Sequence, residues 1–249
     1  MQRLQGKTIV VTGGNSGIGL ASALQFQAEG ANVAILGRNP DSLAQAQKQL
    51  GEGALALQGD VTQAGDLKRL FEEASQRFGK VDGVFANAGI AVPGPIAELS
   101  EEHIEQTFDI NVKGVLRTVQ QALPHLADKA SVVITSSVVN DMGMAGMSVY
   151  SASKAAVTSL ARTLSAELWD RGVRVNTVAP GPIETPIFEK MDMPKEATDE
   201  MAGQILSSVP MGRFGAADEV ANAVTFLLSD ESSYIMGEEI KVDGGMSRI

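Results

Sequence analysis

Cysteine is absent from the 249 residues, and histidine occurs only twice, at His103 and His125. The first absence excludes disulfides, thiolate metal sites and cysteine nucleophiles; the second leaves too few imidazoles for a histidine-rich metal centre. Aromatic residues make up 4% of the chain, with one tryptophan, Trp169. Positive charge is in short supply: 20 Lys and Arg stand against 30 Asp and Glu, giving a formal net charge of -10 and a pI near 4.7. Such a chain lacks the basic field that nucleic-acid binding needs. No apolar run approaches the roughly 18 residues of a membrane-spanning helix. The run Ile9 to Val11 within MQRLQGKTIVVTGG is too short for the core of a signal peptide. These absences lead to the expectation of a soluble cytoplasmic protein with no metal, nucleic-acid or membrane partner.

What is present is an ordinary globular composition, 44% hydrophobic and 20% charged, in a chain long enough to bury a large core. Short β-branched runs at 7–13, 31–37, 54–58, 81–87, 131–137, 172–180 and 238–245 read as strands. Helical patterns lie between them, at 17–29, 39–50, 63–78, a long one at 100–127, 148–170 and 217–228. Strand-helix alternation over the whole length predicts a parallel sheet covered on both faces. No linker divides it, so residues 1–249 read as one dinucleotide-binding and catalytic domain. The irregular stretch 181–211 carries Pro182, Pro186, Pro194 and Pro210 with Met191, Met193 and Met201, and is expected to be a lid over a cleft.

TGGNSGIG (12–19) joins the first strand to the first helix. Gly13, Gly17 and Gly19 permit a tight turn and close approach, and the helix N-terminus offers N–H groups and a positive dipole to a pyrophosphate. Tyr150 and Lys154 lie four residues apart on one helix face. An ammonium there is expected to hold down the phenol pKa, whose usual value is about 10, and so to suit the phenol for acid-base work.

TGGNSGIG, Asn87-Ala88-Gly89, Asn111, Ser137, Tyr150-x-x-x-Lys154 and Pro180-Gly181, in this order and spacing, resemble the short-chain dehydrogenase/reductase family over essentially the full chain, including the C-terminal VDGG. The resemblance implies an α/β fold of the doubly wound Rossmann type, with a seven-stranded parallel sheet in the order 3-2-1-4-5-6-7. It implies that Gly13, Asn15, Ser16, Gly17, Ile18 and Gly19 wrap the cofactor phosphates, that Asp60 and Val61 meet the adenine, and that Asn87, Ala88 and Gly89 line the floor beside the ribose. Pro180, Gly181, Ile183 and Thr185 would hold the nicotinamide end. The family's usual N-N-A-G run is here Ala86-Asn87-Ala88-Gly89, so the first asparagine's contacts must be replaced.

The second strand ends in Gly37-Arg38-Asn39, with no acid to accept a ribose hydroxyl. Arg38 is placed to pair with a 2′-phosphate through a charge-assisted fork. NADP(H) is therefore favoured over NAD(H). By the resemblance, Tyr150 gives or takes the proton at the substrate oxygen while Lys154 tunes the phenol and holds the nicotinamide ribose. Ser137, 13 residues before the tyrosine, polarises the substrate oxygen, and Asn111 holds a water that links Lys154 to solvent. The expected activity is an NADP(H)-dependent alcohol dehydrogenase or carbonyl reductase.

Val138, Val139, Met142, Met144, Met147, Met191 and Met193 supply candidates for a pliable apolar wall around an apolar or medium-sized ketone or aldehyde, with Ser137, Val139, Met144, Tyr150 and Met191 as the substrate-contacting set. Asn140 and Asp141 suit the hydroxyls of a polyol or sugar instead. A 3-oxoacyl carrier-protein reductase is the nearest alternative; Arg171, Arg174 and Lys129 would have to contribute a basic patch for the acidic carrier. A catalytically idle NADP-sensing protein is the alternative of a different class. The resemblance also implies a homotetramer, with helices 100–127 and 148–170 packed across one two-fold interface.

Overall fold

In the computed structural model, which describes residues 2–185 and 203–249, the strands assemble into a single parallel sheet. They are β1 (Thr8–Thr12), β2 (Asn32–Gly37), β3 (Leu55–Gln58), β4 (Val81–Ala86), β5 (Leu126–Thr135), β6 (Arg174–Pro180) and β7 (Glu239–Val242), in the order 3-2-1-4-5-6-7. The main helices are α1 (Gly17–Ala28), α2 (Pro40–Leu50), α3 (Ala64–Phe78), α4 (Glu101–Phe108), α5 (Gly114–Ala122), α6 (Ser148–Leu168) and α7 (Ala217–Leu228).

Successive strand residues point to opposite faces, and the chain uses both. Ile9, Val11, Val33, Ile35, Phe85 and Val133 pack against α1, α2 and α7, where Phe26 meets Phe85 edge-on at 6.4 Å. Val10, Leu36, Val84, Val132, Ile134 and Val175 pack against Leu67, Leu70 and Phe71 of α3 and against α5 and α6. Phe26, Phe71 and Phe85 are fully buried, and each such ring contributes about 1.5–3 kcal/mol.

Three elements depart from the sequence expectation. The helix expected over 100–127 starts as predicted, with Ser100 Oγ accepting from His103 N at 3.2 Å. It then breaks into α4, a π turn at Asp109–Lys113, and α5. The cause is long-range, because Asn111 is drawn inward by partners on other elements, as described below. The strand expected at 131–137 starts five residues earlier: Val81 pairs with Leu126, then the register shifts so that Gly83 pairs with Ser131. Lys129 takes a left-handed φ of 64° at this irregularity. Finally, the last strand is β7 alone, and the glycines after Val242 form a turn rather than a ladder.

The sheet order reverses beside β1, where β4 succeeds β2 as the neighbour. A crevice opens at such a switch point, outside the carboxyl ends of the strands. Residues 186–202, which include Met191 and Met193 of the expected lid, lie outside the described residues.

Candidate active site

A cavity of about 760 Å³ runs along the C-terminal edge of the sheet. Its walls bring together Gly13, Asn15, Ser16, Gly17 and Ile18 after β1, Arg38 and Asn39 after β2, Asp60 and Val61 after β3, Asn87, Ala88 and Gly89 after β4, Ser137 after β5, and Pro180, Gly181, Ile183 and Thr185 after β6. Tyr150 and Lys154 enter from α6. Among the catalytic and cofactor-binding candidates, Gly19 and Asn111 stand behind the wall.

Gly19 is a packing residue. A Cβ at this position would lie 2.2 Å from the Gly13 carbonyl oxygen, so only hydrogen fits between the turn and α1. The turn leaves the N-terminus of α1 uncapped: Ser16 makes no side-chain cap bond, and the first helical turn holds no acid. Unpaired helix-end N–H groups facing a cavity fit a phosphate.

At the end of β2, a Cβ on Gly37 would meet the Asn15 side chain at 2.5–2.8 Å. Asn15 is itself tied to Ser42 Oγ at 2.7 Å, so position 37 has no room for an acid. Arg38 is 58% exposed at its side chain and faces Asp60 across 3.7 Å. Asn39 accepts from Ser42 N at 3.0 Å and thereby caps α2. The floor after β4 is held by Asn87, which donates to the carbonyls of Thr12 and Gly13 and accepts from Thr135 Oγ1 at 3.1 Å. Thr12 Oγ1 accepts from Asn87 N and Ala88 N. Ala86, where the family has its first asparagine, is a buried methyl in β4, so the polar work falls to Asn87.

Lys154 is 4% exposed. Its Nζ donates to the Thr135 carbonyl at 2.8 Å and stands 5.7 Å from the centre of the Tyr150 ring. Burial pushes the ammonium down to about 8, because desolvation disfavours the charge. The phenol behaves differently from the sequence expectation. Burial pushes Tyr150 above its usual range, and a hydrogen bond from Ser137 recovers part of that rise; the lysine does not set it. A neutral phenol beside a cation is arranged to donate a proton.

Asn111 is 1% exposed, and both its amide oxygen and its amide nitrogen meet protein partners. Oδ1 accepts from Ile90 N at 2.9 Å, while Nδ2 donates to Ile90 O at 2.9 Å and to Ser153 Oγ at 3.0 Å. It clasps the loop after Gly89 to α6 one residue before Lys154. Its amide, in this arrangement, has both hydrogens committed to protein oxygens.

On the substrate side, Val139, Met144 and Met147 line the cavity. Val138 lines it as well; Met142 does not, and packs against the cluster of Val138, Val209 and Met246 from behind. Val92, Pro93, Ile205 and Met246 also line the cavity and were missed. Met246 had a signal: a strand parallel to β6 must release the chain at the cavity edge, so the residues after it return to the site.

The sequence model described as enoyl-(acyl carrier protein) reductase matches residues 13–247. The chain belongs to the short-chain dehydrogenase/reductase family. It is 39% identical to a 3-oxoacyl-[acyl-carrier-protein] reductase of Thermotoga maritima, covering 98% of this chain and 99% of the relative. It is 38% identical to a glucose 1-dehydrogenase of Gluconobacter oxydans, covering 98% and 93%. The solved structure of a levodione reductase superposes with a TM-score of 0.89 at 30% identity, covering 98% and 99%.

Within this short-chain dehydrogenase/reductase, other sequence candidates lie elsewhere than expected. Asn140 and Asp141 turn away from the cavity: Asn140 binds Glu239, and Asp141 pairs with Lys241 at 2.7 Å. The proposed basic patch does not form at the site. Arg174 is 9% exposed and caps the carbonyls of Leu227, Ser229 and Ile235. Arg171 binds the carbonyls of Leu123 and Leu126. With Lys129, these residues sit at the N-terminal ends of β5 and β6, the edge opposite the cavity. His125 stacks on Phe71 and bonds Ser75 Oγ at 3.0 Å, far from the chemistry.

Proposed function

We propose that this short-chain dehydrogenase/reductase interconverts a small apolar ketone or aldehyde and its alcohol, with NADP(H) and with Tyr150 as proton donor and acceptor. The observation that carries this reading is the convergence of Ser137, Tyr150 and Lys154 on the cavity that also exposes the uncapped end of α1. A nicotinamide dinucleotide, when bound, supplies or accepts the hydride. Ser137 orients the substrate oxygen, and Tyr150, neutral at pH 7, delivers the proton to it. Lys154, still mainly charged at pH 7, stabilises negative charge that develops on the phenol. Gly13, Ser16, Gly17 and Ile18 hold the phosphates. Arg38, the absence of an acid at its strand end and the closed position 37 support NADP(H). Arg38 must exchange the nearby Asp60 carboxylate for the 2′-phosphate.

Val139, Met144, Met147, Val92 and Met246 give the wall its apolar character, which supports a ketone more than a polyol. The second reading, a 3-oxoacyl carrier-protein reductase, draws on the Thermotoga maritima relative. Against it stands the far-edge placement of Arg171, Arg174 and Lys129. The stretch 181–211 would act as the lid, the assembly would be a homotetramer, and the compartment the cytoplasm. Among the described residues no helix is long and apolar enough to cross a membrane.

The test is a panel of apolar ketones, polyols and an acyl thioester, each run with NADPH and NADH. Tyr150→Phe should lose about 10²–10⁴-fold in kcat and keep its NADPH affinity. A variant with more than about a tenth of wild-type kcat sinks the proton-transfer role.

A further inference from the structure

A closed ring of hydrogen bonds runs behind Ser137, reaching the cavity wall only at Ser136. Asn140 Nδ2 donates to Glu239 Oε2 at 2.7 Å and faces both Thr158 Oγ1 at 2.8 Å and Ser136 Oγ at 3.0 Å. Ser136 Oγ and Thr158 Oγ1 are 2.7 Å apart, and Thr158 Oγ1 donates to Glu239 Oε2 at 2.9 Å. One allocation uses every hydrogen: the two amide hydrogens go to Glu239 and Ser136, the serine hydroxyl to Thr158, and the threonine hydroxyl to Glu239. The carboxylate also fixes the amide's orientation, since a flipped Asn140 would set its oxygen against that charge.

The ring joins three elements that carry the reaction's parts. Ser136 precedes Ser137. Asn140 closes the turn that follows it, with Asn140 N donating to Ser137 O at 3.1 Å and Val139 N reaching Ser137 Oγ at 3.5 Å. Thr158 lies one helical turn beyond Lys154, whose carbonyl it also meets at 3.1 Å. Glu239 comes from β7, the edge strand. Two residues on along the same strand face, Lys241 grips Asp141, the next residue of the serine loop. Opposite charges on one strand thus hold consecutive residues of that loop.

We infer that Glu239 is a positioning residue, which sets the reach of Ser137 to Tyr150 by locking the serine loop onto α6 through Asn140 and Thr158. The inference rests on the proposed roles of Ser137 and Tyr150. Glu239, Asn140 and Thr158 are not among the cavity's lining residues, so their removal acts through the serine and not through direct contact.

The experiment compares Glu239→Ala, Glu239→Gln, Thr158→Val and Tyr150→Phe with the wild-type full chain. It measures kcat with a ketone that turns over, NADPH affinity, and the NMR of ring-labelled tyrosine. The chain has two tyrosines, and Tyr234 is fully exposed, so the two signals separate. Glu239→Ala and Thr158→Val should each lower kcat by about 10- to 100-fold, the usual cost of a small misplacement. NADPH affinity should stay within about twofold, and the Tyr150 signal should move while that of Tyr234 stays. Glu239→Gln, which keeps an oxygen acceptor, should restore both readings. Wild-type kcat and an unmoved Tyr150 signal in Glu239→Ala overturn the inference, as does a folded Glu239→Gln that recovers neither. If Glu239→Ala does not fold, Thr158→Val decides in the same way. Full activity in Tyr150→Phe would instead strike the proposed function, and the Tyr150 signal would still report whether Glu239 holds Ser137 in place.

Discussion

The two halves of the cavity are built on different principles. The half that faces α1 is made of backbone and short side chains within a few residues of the ends of β1 to β4. Its spacing follows from strand register and from the absence of a Cβ at Gly19. The other half is assembled from side chains far apart in sequence: Val92 and Pro93, Val139, Met144 and Met147, Ile205, and Met246. Several are methionines, which repack at small cost. A rigid half shaped by the chain's own ladder therefore adjoins a pliable half shaped by contact between loops, and changes in the two should differ in size and kind.

The harshest way to break the rigid half is Gly19→Ala. Its methyl cannot coexist with the Gly13 carbonyl 2.2 Å away, so the turn must shift. Thermal denaturation should show a loss of about 3 kcal/mol or more, and titration a fall in NADPH affinity beyond about 100-fold. Arg38→Asp touches the same half through charge alone. Loss of a charge-assisted bond costs about 1.5–3 kcal/mol, so NADPH affinity should drop about 10- to 100-fold and NADH should become the better cofactor. Unchanged NADPH binding would remove the case for the phosphate.

Lys154→Met sits where the halves meet. The depression of Lys154 to about 8 means that the unfolded chain holds this proton more tightly, at an unfolded value near 10.4. The cost of burying the charge, roughly 3 kcal/mol, is fully present below pH 8 and is relieved as pH rises toward 10.4. The variant gives up the charge-assisted bond to Thr135 O, about 1.5–3 kcal/mol. It should match or exceed wild-type stability by up to about 1.5 kcal/mol at pH 7, and lose ground to wild type above pH 8, as melting curves across pH would show. Met144→Ala, in the pliable half, should have the smallest effect. Selectivity between a bulky and a small ketone should shift by about fivefold in kcat/KM, or roughly 1 kcal/mol.

What could be read in the sequence follows the same division. Six strand positions and the bounds of α7 at 217–228 were plain from β-branched runs and helical periodicity, because those patterns record local burial. The candidates of the rigid half, from Gly13 to Ile18 and from Asn87 to Gly89, come together on one wall. Features that depend on distant partners were not legible. Nothing near Asn111 announces a π turn, since the pull comes from Ile90 and Ser153. Asn140 and Asp141 looked available to a substrate only because Glu239 and Lys241, about 100 residues on, were not yet beside them. The early start of β5 was hidden because Leu126 to Ala130 lacks β-branched residues and pairs through an irregularity.

Thr135, the last residue of β5, has a consequence of its own. Its carbonyl holds Lys154 and its hydroxyl holds Asn87, so one residue of the central sheet sets both the ammonium and the cavity floor. The reacting groups hang from the same ladder that gives the fold its cooperativity, with no hinge between them. Heat or denaturant should therefore extinguish turnover and the sheet's circular dichroism in a single transition, leaving no folded but inactive species between.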